Sequence, residues 1–305
     1  MYKVTPRKSA WPPFPLKGNH NAFGQTIASL SIAMKMVSCG TFLMLASSAF
    51  GAESSGVDAD GIIRKSVAVT NADWKAAPNY SFHERDVISK KDRAGTTKTF
   101  AVLIIEGSPY NKLIAVNDRP LSKEEQAVQD QKLEAEIAAR SQERPHDRKR
   151  RIAKYQRERA QDQAMIREMV DAFDFKLESE TKLNGRDVYQ FKATPKPGYV
   201  PKSRDTKVLT AMNGTLWVDK ETNQWVKVMA QVMRPVSFYG IAKVGPGTRF
   251  ELEQEPVSGN LWLPKHFAVH VNASALGFIN EDSNDDETYS NYRPTSQALE
   301  LQAKK

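Results

Sequence analysis

Few residues in this chain have the types and spacings that chemistry needs, and most of those are disqualified by their surroundings. His266 and His270 stand four apart, which on a helix could grip a metal ion. Here Phe267, Val269 and Val271 alternate around them and mark a strand. Along a strand the two imidazoles share a face about 13 Å apart, too far for one ion. His83-Glu84 has no second histidine at the zinc-hydrolase interval. Asp282, Asn284 and Asp286 match the first three ligand positions of a calcium loop. Glu287 then takes the place of the sharp-turn glycine and Arg293 that of the bidentate glutamate, so Glu281–Glu287 reads as a solvated acidic loop. Gly245-Pro246-Gly247 opens like a dinucleotide fingerprint but lacks the third glycine and lies between strand patterns, so it is a turn.

Nucleophiles are equally scarce. There is no Gly-x-Ser-x-Gly elbow and no phosphate loop, and the single cysteine, Cys39, lies near the start of the chain. Disulfides, thiol catalysis and cysteine-based zinc sites are thereby excluded from the rest. Asp219 and Glu221 are the carboxylates left over for acid–base work. The expectation is a protein that is not an enzyme, with no catalytic residue, metal or cofactor.

The net charge of +8 and pI near 9.3 invite a nucleic-acid reading. Residues 1–52, however, hold five of the 44 basic residues and none of the 36 acidic ones. That stretch accounts for most of the excess. The densest remaining run is Arg148-Lys149-Arg150-Arg151, with Arg140, Arg144, Lys154, Arg157 and Arg159 nearby. Glu143, Asp147, Glu158 and Asp162 recur at helical spacings beside it, so the run reads as a salt-bridge-laced helix face that could also meet anionic lipid. No nucleic acid is expected as a partner.

Met34-Lys35-Met36, the apolar stretch Val37–Ala46 and Ala49-Phe50-Gly51 have the order of a secretory signal with a cut before Ala52. The apolar stretch is too short for a comfortable bilayer span. Residues 1–33 precede it, rich in proline and basic residues, as a leader of doubtful authenticity beside a start at Met34 or Met36. Positions 34–51 are the signal peptide, 52–294 one α+β domain, and 295–305 a tail. The expected location is the periplasm.

The elements follow from periodicity and turn chemistry. Gly61–Asn79 suggests a short amphipathic helix ending at Pro78. Tyr80–Val116 reads as three antiparallel strands, broken at Lys90–Gly95 and at Gly107-Ser108-Pro109. Ser122 and Glu125 form a capping box that opens a charged helical segment, 122–173, interrupted near Pro145. A second group of strands begins at Asp174–Thr181, which pairs with Asp187–Ala193 across Asn184-Gly185. It continues through Met212–Asp219, Gln224–Met233, Val236–Val244, Thr248–Glu255, Leu261–Asn272 and Glu287–Tyr292.

Gly214-Thr215-Leu216-Trp217-Val218-Asp219-Lys220-Glu221-Thr222 resembles a strand-turn signature of envelope proteins of the outer-membrane lipoprotein-sorting type. That group includes the periplasmic lipoprotein carrier, its outer-membrane receptor and a sensor domain that binds an anti-sigma factor. Asn184–Phe191 upstream and Trp225–Met233 downstream support the likeness, which covers roughly Tyr80–Arg293. The long charged helical segment departs from the compact carriers. The resemblance implies a strongly curved antiparallel sheet, an open half-barrel, with helices over its concave side and an apolar cavity for acyl chains between them. The meander's own need for a cover, with the capped helices available, leads to the same architecture.

With a four-residue turn at Lys220–Asn223, Trp217 faces Val226. It would then share the most continuously apolar face with Val228, Ala230 and Val232, extended by Phe250, Leu252, Phe267 and Val269. Those nine residues are the expected ligand cavity, with a lipid or an acylated protein as partner. The alternative is a protein-interaction or signal-sensing module that uses the charged helices.

Overall fold

The computed structural model describes residues 57–90, 93–238, 242–275 and 279–296. The signal peptide and cleavage site lie outside the described residues, as do Cys39 and most of the tail. The first helix, α1 (Ala59–Ala76), starts where Asp58 accepts a hydrogen bond from the Gly61 amide at 2.8 Å. A 3-10 turn at Ala77–Asn79, carrying Pro78, ends it and turns the chain into the sheet.

The first strands are β1 (Tyr80–Lys90), β2 (Arg93–Ile105), β3 (Ser108–Val116) and the stub β4 (Arg119–Pro120). The β2–β3 and β3–β4 connections are two-residue turns with both residues at positive φ, Glu106-Gly107 and Asn117-Asp118, a geometry that matches the strand twist. α2 (Lys123–Ser141) carries the complete Ser122/Glu125 capping box. α3 (Pro145–Ala172) follows, and Pro145 opens this second helix, where its missing N–H costs nothing.

The second group contains β5 (Phe173–Leu183), β6 (Arg186–Pro195), β7 (Met212–Asp219) and β8 (Trp225–Val232), then the short β9 (Val236–Phe238) and β10 (Ala242–Val244). It ends with β11 (Arg249–Ser258), β12 (Leu261–Ala275) and β13 (Ile279–Pro294). Asn184-Gly185 makes the β5–β6 turn at φ 52° and 79°. The main path of the sheet runs β4-β3-β2-β1-β13-β12-β11-β8-β7-β6-β5, antiparallel throughout and not closed into a barrel. This is the α+β open half-barrel. The last strand lies beside the first, Tyr80 opposite Pro294.

Two expectations change here. Asp282, Asn284 and Asp286 are inside β13, opposite Asn272, His270 and Ala268, so neither a calcium loop nor a solvated loop exists there. Pairing supplies the order that side-chain polarity concealed. At β7–β8 the register slips between Trp217 and Val218: Trp217 opposes Lys227, Val218 opposes Trp225, and Val226 is the extra residue. A bulge of this kind turns the residues beyond it onto the other face. Trp217 and Val226 therefore leave the concave face and pack with Val188, Trp262 and Leu183 in a separate small cluster.

α1 and α3 cover the concave face. Ile63, Trp74, Met165, Ile166 and Met169 from these helices join Phe100, Val102, Phe173, Phe191, Leu216, Trp225, Phe250, Phe267 and Val269 in one core. α2 packs elsewhere: its Leu133 sits with Leu103, Ile105 and Tyr110. Phe100 and Val102 belong to the main core, so these β2 residues of opposite parity look the other way. Among the described residues, no helix is long and apolar enough to cross a membrane.

Candidate functional site

One row of the sheet's concave face is continuous across four strands: Leu216, Val228, Leu252 and Phe267 stand opposite one another in turn. The next row is Gly214, Ala230, Phe250 and Val269. Gly214 is required there, because a Cβ would come 2.8 Å from the Met229 carbonyl oxygen of the neighbouring strand. These rows face Trp74, Ile166 and Met169 from the helices, and a largely enclosed cavity of about 70 Å³ lies between them. Of the nine residues expected to line it, Val228, Ala230, Phe250, Leu252 and Phe267 do so. Val232 and Val269 lie in the same core beside it, and Trp217 and Val226 are on the opposite face.

The sequence pattern missed the helical contribution. Ile63, Ser66, Thr70 and Asp73 recur at intervals of three and four and, with Trp74, are the buried residues of α1, so three of the five are polar. Ser66 accepts from the Trp225 indole at 3.0 Å. Thr70 and Asp73 line the cavity, together with Gln254 from β11. Burial lifts the Asp73 carboxyl to about 6, against hydrogen bonds from the Gln224 side chain and the Trp262 backbone that favour its ionised form. Polar residues at helical spacing within an apolar stripe were the available signal.

Further along the concave face the rows turn acidic. Phe267 stands opposite Glu287, which stands opposite Asp86. Asp86, Asp285 and Glu287 present carboxylate oxygens within 4.8 Å of one another, an arrangement that could hold a cation. Tyr289 donates to Glu287. His266 and His270 keep separate partners, His266 bonded to Asp286 at 2.9 Å and His270 to Asn284 at 2.9 Å.

Asp219 is also accounted for. Its Oδ1 accepts from the Glu221 amide at 3.1 Å and from the Thr222 amide and hydroxyl at 2.8 Å, and Oδ2 takes Arg186 at 3.1 Å. These bonds outweigh its burial and hold the carboxyl below the usual range. It fixes the β7–β8 turn.

The basic run divides into two sets. Arg140 is buried and donates to the Ile105 carbonyl at 2.9 Å and the Ser108 carbonyl at 2.8 Å. Arg151 donates to Ser108 Oγ at 2.6 Å and pairs with Glu143 at 2.7 Å, and Arg148 pairs with Glu106. Arg159 lies over the Trp74 ring at 4.7 Å and donates to the Trp74 carbonyl. Together they fasten the helices to the β2–β3 turn and to α1. Lys149, Arg150, Lys154, Arg157 and Arg167 are exposed on the opposite side of α3, with Ala153, Ala160 and Ala164 between them. Half-buried Asp147 pairs with Arg150 at 3.3 Å and with Arg144 at 2.7 Å; of the helix's other carboxylates Asp162 and Glu168 are buried, Glu158 is half-buried, and Asp171 is 2.5 Å from Lys202. The expected salt-bridge lacing is therefore present at the start of α3, through Asp147, and on its packed side, while Lys149, Lys154, Arg157 and Arg167 make the rest of its outer face a cationic stripe.

No family model matches the sequence, and no curated protein matches it. Among solved structures the chain is similar to a LolA superfamily protein from Nitrosomonas europaea, at 10% identity and a TM-score of 0.32, covering 78% of this chain and 94% of that one. It is similar to a DUF1329 family protein from Desulfovibrio piger, at 14% identity and 0.29, covering 76% and 92%. A third is a chain of the Pseudomonas aeruginosa MucA/MucB complex, at 11% identity and 0.21, covering 75% and 98%.

Proposed function

We propose that this protein binds, without breaking bonds, the apolar chain of a lipid or lipid-modified protein between the half-barrel and its helical cover, in the periplasm. The observation that carries this reading is the uninterrupted apolar wall of Leu216, Val228, Leu252, Phe250 and Phe267 facing Ile166 and Met169 across a cavity. Sites for small molecules usually span about 300–1,000 Å³, several times the 70 Å³ here. Loading a whole acyl chain therefore requires α1 or α3 to move away from the sheet. The cationic face of α3 supplies a contact for anionic membrane surface at the place where such a chain is taken up or released.

Titration with a fluorescent fatty acyl probe tests the reading. The wild type should bind it saturably, and Val228→Glu should stay folded while losing it. Unfolding of that variant would mark the wall as closed core, since an unpaired buried carboxylate costs several kcal/mol. With no saturable binding at all, an envelope interaction or signal-sensing module replaces the carrier. Export is tested by the mature N-terminus, expected at Ala52.

A further inference from the structure

The apolar cavity has one polar end, and the polar atoms there are left over. Thr70, Asp73 and Gln254 line it, and Gln224 stands behind Asp73 as a hydrogen-bond donor to it. All four are more than nine-tenths buried, at 3%, 7%, 7% and 2% exposure. Thr70 Oγ1, Asp73 Oδ2, Gln224 Oε1 and Gln254 Oε1 find no hydrogen-bond partner among the described residues. The Gln224 amide nitrogen is committed, since it also donates to the Asn260 carbonyl at 3.0 Å. Gln254 stands opposite Pro264, which has no N–H to offer. Neither lysine nor arginine is among the groups acting on Asp73.

Three of these atoms are acceptors that cannot satisfy one another, and the fourth is a hydroxyl able to accept as well. Thr70 and Asp73 on α1 and Gln254 on β11 line the same largely apolar space, with Gln224 of the β7–β8 turn next to Asp73. Leaving a buried acceptor unsatisfied is costly, so those that line the space call for a donor from outside the chain.

We propose that this end of the cavity is a binding site for the head group of a single-chain amphiphile whose head donates hydrogen bonds, a protonated amine in the first place and a hydroxyl in the second. The assignment rests on the apolar-chain reading above. An ammonium brings three donors and no acceptor, and its charge answers Asp73. A carboxylate head would bring a second negative charge and only acceptors. A calcium ion would need six to eight oxygens, more than Thr70, Asp73 and Gln254 supply. Asn213, Thr215 and Glu251 also border the cavity but alternate with Gly214, Leu216 and Leu252 along their strands and so belong to the other face, where Glu251 is paired with Lys227. The cavity's 70 Å³ admits a head group but not a whole chain, and Leu252, Val228 and Phe250, which line it too, form the apolar wall along which the chain would begin.

Calorimetric titration of the purified protein with dodecylamine, dodecanol and dodecanoate at pH 7, each below its micelle concentration, tests the assignment. The amine should bind at least tenfold more tightly than dodecanoate, with dodecanol between. Asp73→Asn should weaken the amine about tenfold and bring it level with the alcohol, and Gln254→Leu should weaken both severalfold. Equal affinities for the three ligands in the wild type would mean that the polar end is merely hydrated, and would overturn the head-group site while leaving the apolar-chain reading intact. An amine preference that survives Asp73→Asn overturns it as well. If none of the three saturates, the apolar-chain reading falls and takes the head-group site with it. The wild-type series decides the matter even where a variant fails to fold.

Discussion

α1 and α3 cover the same face of the same sheet, yet they satisfy their buried polar groups differently. α3 presses Met165, Ile166 and Met169 inward, and of its buried charges Arg159 donates to the Trp74 carbonyl and Glu168 accepts from the Lys202 amide. α1 buries Ser66, Thr70 and Asp73 beside Ile63 and Trp74. Burying polar groups with incomplete partners yields little stability, so α1 is the weaker half of the cover and the half with something to recognise. One helix anchors and the other reads.

Three substitutions would break or sharpen that contrast. Ile166→Ala removes a fully packed side chain from α3 and should cost about 2–5 kcal/mol in urea unfolding. A loss well below 1 kcal/mol would show that α3 is no anchor.

Asp73→Asn on α1 should act in the other direction. The folded carboxyl titrates near 6 and the unfolded one near 3.8, so the folded state binds more protons between these values. Stability is therefore lost as pH rises from about 4 to about 6, and the penalty persists above that. Removing the charge should restore up to about 3 kcal/mol at pH 7 and flatten the profile between pH 4 and 6, as read from melts across that range. A wild type whose stability rises through that window would refute the assignment.

The smallest effect is expected from Ser66→Ala, which leaves the buried Trp225 indole without its acceptor. It should cost about 1 kcal/mol and shift Trp225 emission. An unchanged spectrum would separate α1 from the wall it touches.

The local signals in the sequence correspond closely to the fold. Asn184-Gly185, the Ser122/Glu125 box and Pro145 act through the backbone of a few neighbouring residues, and each marks the boundary it should. Features that depend on a partner strand were hidden. The slip at Trp217 and Val226 belongs to the β7–β8 pair, and neither strand alone carries a mark of it. The first half of β13, Glu281–Glu287, reads as a loop because its acidic residues do not alternate with apolar ones, although both edges of the strand are paired, with β12 and with β1. The cavity wall was half legible, since period-two alternation gives Val228 and Ala230 their shared face. Its polar end was not, because Thr70, Asp73, Gln224 and Gln254 converge from places far apart in the chain.

The pairing of β1 with β13 has a consequence for how the molecule comes into being. Strand β1 begins at residue 80, and its neighbour does not end until residue 294. A chain that emerges from its N-terminus holds β1 with an open edge while nearly everything else is made. The meander β1–β4 and the β5–β8 group can each form early from local hairpins, but the two cannot join before the last strand arrives. Closing so long a loop is slow, and an exposed edge invites wrong pairing in the meantime. Strand β13 is the keystone of folding: until it pairs, the chain stands as two half-sheets, each with an exposed rim open to wrong pairing.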